Sequence, residues 1–182
     1  MRSPSTPPPP TRRPQRGIYA LEWAIIFPVF FALLYGIISY GLTFLVRESM
    51  QFAVEEGARA ALRYPSTATL AGASQPTWLH RQTEARAAVI DKLNWLPTAL
   101  RPSNASVNFN VCHLDDTACQ TETSLQNSNI LCSAAQPCLV LVSYEIEDYA
   151  SNAIAPPLPG FSILLPDSLN ARASILADRR ML

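Results

Sequence analysis

The sequence predicts an α+β protein in which one long N-terminal helix, able to cross a membrane, leads into a small exported domain. Three observations predict this class. Residues 23–46 carry no charge, residues 47–64 repeat apolar side chains at helical spacing, and three segments beyond residue 100 have strand character. We therefore expect a basic leader (1–17), a transmembrane helix (18–46), an amphipathic stem (47–64) and an exported domain (65–182) with a second helix, a short antiparallel sheet and a disulfide loop.

The length and charge of the chain limit its expected partners. At 182 residues there is room for one modest domain in addition to a membrane span. The 14 basic and 14 acidic residues give a formal net charge of zero. Because duplex binding needs a basic stripe of several lysines and arginines, nucleic acid is not an expected partner.

The leader is rich in proline and lacks the apolar side chains that a folded core requires. It contains four arginines and no acidic residue. Positive segments stay on the cytoplasmic side of a membrane, so we expect a single-pass protein of the inner (cytoplasmic) membrane. Its N-terminus is then cytoplasmic and its C-terminal domain periplasmic or extracellular.

The apolar run from Trp23 to Val46 is long enough to span a bilayer. Its uncharged residues rise ~1.5 Å each, so the helix covers roughly 36 Å against a hydrocarbon core of ~30 Å. A cleaved signal peptide has an apolar core about half as long, followed by a small-x-small cleavage site. Here Arg47 and Glu48 follow instead, which favours a membrane anchor.

Two helical patterns follow the span. The first continues without a turn signal to Tyr64, before Pro65, and the second runs from Thr77 to Leu96 between two prolines. In the second, the charges of Arg81, Glu84, Arg86 and Lys92 lie off the mostly apolar face. The residues expected on the buried faces are Met50, Ala53, Val54, Gly57, Ala58, Ala61 and Leu62, then Trp78, Gln82, Ala85, Val89, Leu93 and Leu96.

Three segments in the C-terminal half are predicted to be strands. Residues 106–112 alternate apolar and polar side chains, and residues 139–146 are rich in leucine and valine. Residues 169–176 can supply a last strand. These three segments predict the short antiparallel sheet.

The four cysteines, Cys112, Cys119, Cys132 and Cys138, cluster in one polar stretch. An even number of clustered cysteines on the exported side predicts two disulfides, with three connectivities open. Their spacing lacks the paired short intervals of a structural zinc site. No residue near either histidine completes a nucleophile and base set. We therefore expect no metal, no cofactor and no enzymatic activity.

The motif that carries function joins Gly17 to Glu22, where the basic leader meets the apolar helix. A peptidase at the cytoplasmic face needs an unhindered residue before the scissile bond, and glycine has no side chain. Cutting after Gly17 makes Ile18 a new N-terminal ammonium. An unpaired Glu22 carboxylate inside hydrocarbon costs several kcal/mol, and the ammonium of a neighbouring copy can neutralise it. The alternative is that Glu22 snorkels to the headgroups with Arg16 as its partner.

The stretch GIYALEWAIIFPVFFALLYGIISYG, with EGARAA at residues 56–61, resembles the TadE-like proteins. These are prepilin-like components (pseudopilins) of the tight-adherence, or Flp, pilus machinery. The resemblance implies cleavage by a prepilin peptidase after Gly17, with Glu22 as the position-five glutamate that sets helix register. Trp23 takes the next position, where the family usually has phenylalanine or tyrosine. A pilin-like fold, with a long helix packed on a small sheet, is also implied.

The resemblance implies a non-enzymatic minor pilin or pseudopilin that takes part in assembly of a type IV-like pilus. Its expected partners are a prepilin peptidase, other pilins and pseudopilins, pilus assembly proteins and membrane lipid. The alternative function is a membrane-tethered extracytoplasmic binding module with an uncleaved signal anchor. In that case an unrelated anchor can replace residues 1–46 without loss of function.

Overall fold

The computed structural model describes residues 16–63, 77–114, 119, 130, 132–133, 136–155 and 165–177. It confirms the predicted fold class, with a long apolar helix, a second helix and a three-stranded antiparallel sheet. Residues 1–15 of the predicted leader, Tyr64 and the first part of the expected exported domain lie outside the described residues. The elements are α1 (Arg16–Leu62), α2 (Trp78–Lys92), a 3-10 turn (Thr98–Leu100), β1 (Val107–His113), β2 (Cys138–Ile146), α3 (Tyr149–Asn152) and β3 (Leu169–Ala177).

The chain divides into two compact units, Met1–Ile38 and Ser39–Leu182. In the first unit the described side chains, from Tyr19 onward, belong to α1 and are exposed or half-buried. Helix α1 is long and apolar enough to cross a membrane, and only 6% of its most apolar window is buried within the chain. A core helix of a soluble protein buries its apolar residues, so this pattern suggests a single-pass anchor.

The core of the second unit forms where the later half of α1 meets the sheet and α2. The predicted stripe is buried there: Met50, Ala53 and Val54 are fully buried and Ala58 is 2% exposed. Because these positions recur at three and four residues, one face of α1 contributes the whole set. The sequence pattern of the stem is therefore confirmed.

Gly57 lies at the closest approach of α1 to its neighbours. A Cβ atom placed on it would lie 2.6 Å from Cγ2 of Val89, 3.1 Å from the carbonyl oxygen of Ala85 and 3.6 Å from Cγ1 of Val142. The helices can pack this closely only because glycine has no side chain. The glycine of the EGARAA segment therefore has a packing role in this fold.

Helix α2 begins at a capping box. The Thr77 side chain accepts a hydrogen bond from the His80 backbone N–H, and the Nδ1 atom of His80 accepts one from the Thr77 backbone N–H at 3.1 Å. The helix ends at Lys92 rather than at the predicted Leu96. Proline disfavours helical geometry in the residue before it, and Pro97 follows the turn that replaces the last helical residues. All six predicted face residues are nevertheless buried.

Arg81 is not a surface residue, although its charge was expected off the buried face of α2. Only 3% of it is exposed, and its Nη1 atom donates a hydrogen bond to the Ala61 carbonyl at 2.8 Å. The guanidinium also lies 5.9 Å from the centre of the Trp78 ring. The last carbonyls of a helix lack intrahelical partners and carry partial negative charge, so Arg81 caps the C-terminus of α1.

The sheet has the order β1-β2-β3 with both pairs antiparallel. Each strand lies within one residue of its predicted bounds. Phe109, Val142 and Ala173 stand opposite one another in one buried row. Side-chain hydrogen bonds connect both outer strands to helices. Arg86 on α2 donates to the Val107 carbonyl of β1 at 3.0 Å, and Gln51 on α1 donates to the Arg172 carbonyl of β3 at 3.2 Å.

Tyr144 gives this core a predictable pH response. Its hydroxyl donates to the Leu100 carbonyl at 2.9 Å, and burial raises the pKa of Tyr144 to about 12. The unfolded hydroxyl has a pKa of about 10. Because the folded state then holds the proton more tightly, this stability is present below pH 10 and is lost as pH rises through 12.

We expect Tyr144→Phe to lower the free energy of unfolding by about 1 kcal/mol at pH 8, the value of one hydrogen bond. The variant should also lose less stability than the parent between pH 10 and 12. Urea unfolding of the full chain in detergent at several pH values measures both effects. Tyr40→Phe, at a residue that is 64% exposed, is the control and should match the parent. A parallel pH profile for Tyr144→Phe and the parent would contradict the assignment.

Candidate functional site

The predicted processing and registration residues lie at the start of α1. Gly17 and Ile18 have helical backbone directly after Arg16, where the helix begins. Positions 18 and 22 are four residues apart, so they lie on the same side of the helix, one turn from each other. Glu22 is exposed and Trp23 is 68% exposed. The four positions therefore lie within the first two turns of α1.

Glu22 is the only acidic or basic residue between Arg16 and Arg47. Its carboxylate forms no hydrogen bond or ion pair with any side chain in the described part of the chain. An unpaired carboxylate is stable in water and costs several kcal/mol in hydrocarbon. The surroundings of Glu22 in a membrane therefore decide how costly its carboxylate is.

The apolar half of α1 exposes large side chains on all sides. The large apolar residues from Tyr19 to Leu45 are between 44% and 72% exposed, apart from Tyr35 and Leu42, which are half-buried. The rings of Phe27, Phe31 and Tyr35 follow one another along the helix, with centroids 6.3 and 6.5 Å apart. Soluble monomers rarely expose contiguous apolar surface of this extent, so this part of the helix needs lipid or other helices around it.

The four cysteines form two disulfides, Cys112–Cys119 and Cys132–Cys138. This is one of the three connectivities that the sequence left open. Each bond closes a short loop at one end of the connection between β1 and β2. Cys138 is fully buried and Cys132 is 8% exposed, whereas Cys119 is exposed. The second bond is therefore part of the core.

The two histidines have structural surroundings. His80 completes the cap of α2, and the Nδ1 atom of His113 lies 3.9 Å from the Sγ atom of Cys138, which is disulfide-bonded. Among the described residues no group of three or more histidine, cysteine, aspartate or glutamate side chains is placed to hold a metal ion.

Tyr149 is an organising residue that the sequence did not reveal. Its hydroxyl donates to Oγ1 of Thr43 at 3.3 Å, and its backbone N–H donates to the Asp167 carbonyl at 2.7 Å. It is 1% exposed and follows Asp148, whose φ of 53° turns the chain sharply after β2. A single aromatic residue after a polar turn gives no periodic signal, so sequence patterns do not detect this contact.

These features define a class of protein. One helix, exposed and apolar in its first half, packs its second half against a small antiparallel sheet that carries disulfides. Residues 17–59 match the sequence model of the TadE-like proteins. The predicted resemblance to the TadE-like proteins is confirmed over this segment of α1. Searches of curated proteins and of solved structures found no significant match.

The family match covers most of α1 and the candidate residues at its start. The match begins at Gly17, includes Glu22 and the apolar half of α1, and extends past Gly57. It covers under a quarter of the 182 residues. The sheet and the disulfides lie outside it, so the family relates this chain to tight-adherence pilus proteins through α1.

Proposed function

We propose that this chain is a pseudopilin, or minor pilin, that takes part in assembly of a tight-adherence (Flp, type IV-like) pilus. The observation that carries the proposal is the family match that starts at Gly17, on a helix whose apolar half is exposed. The chain acts by helix packing and performs no catalysis. Its partners are a prepilin peptidase, other pilins and pseudopilins, pilus assembly proteins and membrane lipid.

In the proposed mechanism the chain enters the inner membrane with its arginine-rich leader in the cytoplasm. A prepilin peptidase cuts after Gly17 and leaves the ammonium group of Ile18 at the membrane face. This ammonium pairs with Glu22 of a neighbouring subunit, which removes the cost of an unpaired carboxylate in hydrocarbon. The pair, flanked by the exposed ring of Trp23, sets the axial stagger between helices.

The location of the second unit follows from the same topology. Positive residues favour the cytoplasmic side, and the four arginines of the leader precede a single span. Disulfides persist in oxidising compartments, which supports a periplasmic or extracellular position for the two bonds. In this topology the second unit is carried outside the membrane by α1.

The proposal is tested in cells that contain the prepilin peptidase and the pilus machinery. Mass spectrometry of the membrane-bound protein should give Ile18 as the N-terminal residue. We expect Glu22→Ala to be cut and inserted normally while pilus number falls by about tenfold or more, because the neighbouring ammonium loses its partner in hydrocarbon.

The matched control is Glu48→Ala, which removes an exposed acid from the same helix beyond the apolar run. It should leave pilus number unchanged. An intact leader in the presence of the peptidase would contradict cleavage after Gly17. Normal pilus number in Glu22→Ala would contradict the pairing of Glu22 with a neighbouring ammonium. Full function after exchange of residues 1–46 for an unrelated anchor would favour the tethered binding module.

A further inference from the structure

A groove in the second unit lies beside the point where α1 leaves its apolar run. One wall is the part of α1 that contains Tyr40, Phe44 and Arg47. The other wall is the segment from Leu165 to Asn170, which leads into β3. The groove has a volume of about 540 Å³. Pockets for small ligands usually have volumes of roughly 300–1,000 Å³, so it is large enough for part of a lipid.

Both walls begin with an apolar or aromatic residue and end with a polar one, with Thr43 and Ser168 between the ends. On α1, Tyr40 and Phe44 are 64% and 60% exposed, and Arg47 follows them. On the other wall, Leu165 and Pro166 precede Asn170. The two walls run in the same direction. Tyr149 links Thr43 on α1 to Asp167 in the loop before β3, and further along both segments Gln51 on α1 contacts Arg172 on β3.

The walls are held in place before any ligand arrives. Tyr149 donates from its hydroxyl to Thr43 on one wall and from its backbone to Asp167 on the other, at 3.3 and 2.7 Å. Further along, Gln51 donates to the carbonyl of Arg172 at 3.2 Å. A preformed groove loses little entropy when it binds a ligand.

The polar end of the groove carries an available positive charge. Arg47 is exposed, and its side chain makes no ion pair or hydrogen bond with any other described residue. Glu48 follows it on α1 and Asp167 lies in the segment that forms the other wall, and neither is among the residues that line the groove. A guanidinium binds phosphate oxygens through two parallel N–H donors, and Asn170 adds an amide donor beside it.

The position along the helix identifies the source of the phosphate. Arg47 is the first charged residue after 24 uncharged positions, and Tyr40 lies about 10 Å below it along the helix axis. That distance is close to the separation between the edge of the hydrocarbon core and the headgroup layer of a bilayer. We propose that this groove binds one anionic phospholipid of the outer leaflet, with its phosphate at Arg47 and its upper acyl chain along Tyr40 and Phe44.

This site rests on the proposed membrane orientation, and it goes further by giving the second unit its own lipid contact. The bound lipid would bridge α1 and the start of β3 at the membrane surface. In a zwitterionic lipid, a cation in the headgroup offsets the charge of the phosphate. In an anionic lipid the phosphate charge is not offset, so its attraction to Arg47 is stronger. The groove should therefore select lipids by net charge.

The test uses the full chain in nanodiscs that contain equal amounts of phosphatidylglycerol and phosphatidylcholine. Native mass spectrometry after gentle extraction counts the lipids that stay bound. We expect about fivefold enrichment of phosphatidylglycerol, the factor that one basic side chain supplies near a membrane surface. Arg47→Gln should abolish the enrichment, and Arg47→Lys should keep most of it.

Arg59→Gln is the matched control, because Arg59 is an exposed arginine on the same helix and does not line this groove. It should keep the enrichment. Equal retention of the two lipids by the parent, or unchanged enrichment in Arg47→Gln, would overturn the site. Displacement of the lipid by inorganic phosphate alone would also overturn it, because the acyl contacts would then contribute nothing.

A separate measurement distinguishes this site from the proposed function. Protease treatment of spheroplasts should cleave the second unit of an exported chain. A protected second unit contradicts the membrane orientation and the lipid site together. A chain that is exported and assembles into pili but shows no lipid preference contradicts the lipid site alone.

Discussion

The substitution Gly57→Val is expected to lower the free energy of unfolding of the second unit by about 3 kcal/mol or more, the upper range for overpacked cores. Even one added carbon would lie 2.6 Å from Cγ2 of Val89 and 3.1 Å from the Ala85 carbonyl oxygen. Valine side chains have few rotamers, and the carbonyl belongs to the backbone of α2. Neither neighbour can move aside at low cost, so α1 and α2 must separate.

Gly57→Ala tests the same contact with a smaller change. Alanine favours a helix over glycine by about 1 kcal/mol, which offsets part of the clash. We expect a net loss of about 1–2 kcal/mol, measured by urea unfolding of the full chain in detergent. Adding Val89→Ala removes the closest atom, so the double variant should lose less than the sum of the two single variants.

Gly41→Ala provides the matched control on the same helix. A Cβ atom at Gly41 meets nothing within 4 Å, so this substitution should be neutral or slightly stabilising. If Gly57→Ala and Gly41→Ala both keep the stability of the parent, the close approach of the two helices does not exist in solution. If both are destabilised equally, the effect belongs to helix α1 in general rather than to the packing of α2.

The parts of the fold that periodicity controls could be predicted from the sequence. The stripe from Met50 to Ala61 and the strand bounds follow from repeats of three to four and of two residues, which are set by backbone geometry. The C-terminal end of α2 was placed four residues too late. Its apolar pattern continues through Leu93 and Leu96, which remain buried in a turn, so burial alone does not reveal where helical hydrogen bonding stops.

Contacts between distant residues could not be predicted in this way. Arg81 caps α1 from 20 residues away, and Tyr149 reaches Thr43 across 106 residues. Both depend on where separate elements meet, which no local pattern encodes. The helical pattern places Arg81 off the apolar face of α2, and its partner is a backbone carbonyl that has no sequence signature.

The candidate site was predictable for a different reason. Gly17 and Glu22 are marked by the abrupt change from a basic, proline-rich leader to an apolar helix, and both positions have helical backbone in the structure. Their proposed partners are a peptidase and a second copy of the chain. Because these partners are other molecules, the role of Glu22 must be measured in cells and cannot be derived from one folded chain.

The two disulfides are expected to differ in their effect on stability, although they close loops of nearly the same length. Their sequence separations are 7 and 6 residues, and the chain-entropy model gives about 2.5 kcal/mol for each. The difference comes from burial. Cys132 and Cys138 both belong to the hydrophobic core, whereas in the other bond Cys112 is buried and Cys119 is exposed.

We expect the double substitution Cys132→Ser and Cys138→Ser to cost about 4 kcal/mol or more, because it places two hydroxyl groups in the core in addition to releasing the loop. The double substitution Cys112→Ser and Cys119→Ser should cost about 3 kcal/mol, because it releases a loop but buries one hydroxyl group rather than two. Urea unfolding of both variants under non-reducing conditions measures the difference. Equal losses would show that loop entropy alone accounts for both bonds.

The same pair of variants connects stability to the proposed location. A cost of about 4 kcal/mol is a large part of the 5–15 kcal/mol that stabilises an ordinary domain. A second unit that needs the Cys132–Cys138 bond must therefore fold in an oxidising compartment. We expect the parent chain to lose abundance in cells that lack periplasmic disulfide oxidation, to the level of the Cys132→Ser and Cys138→Ser variant or below it, because both bonds are then missing. Undiminished abundance of the parent in those cells would contradict a structural role for this bond.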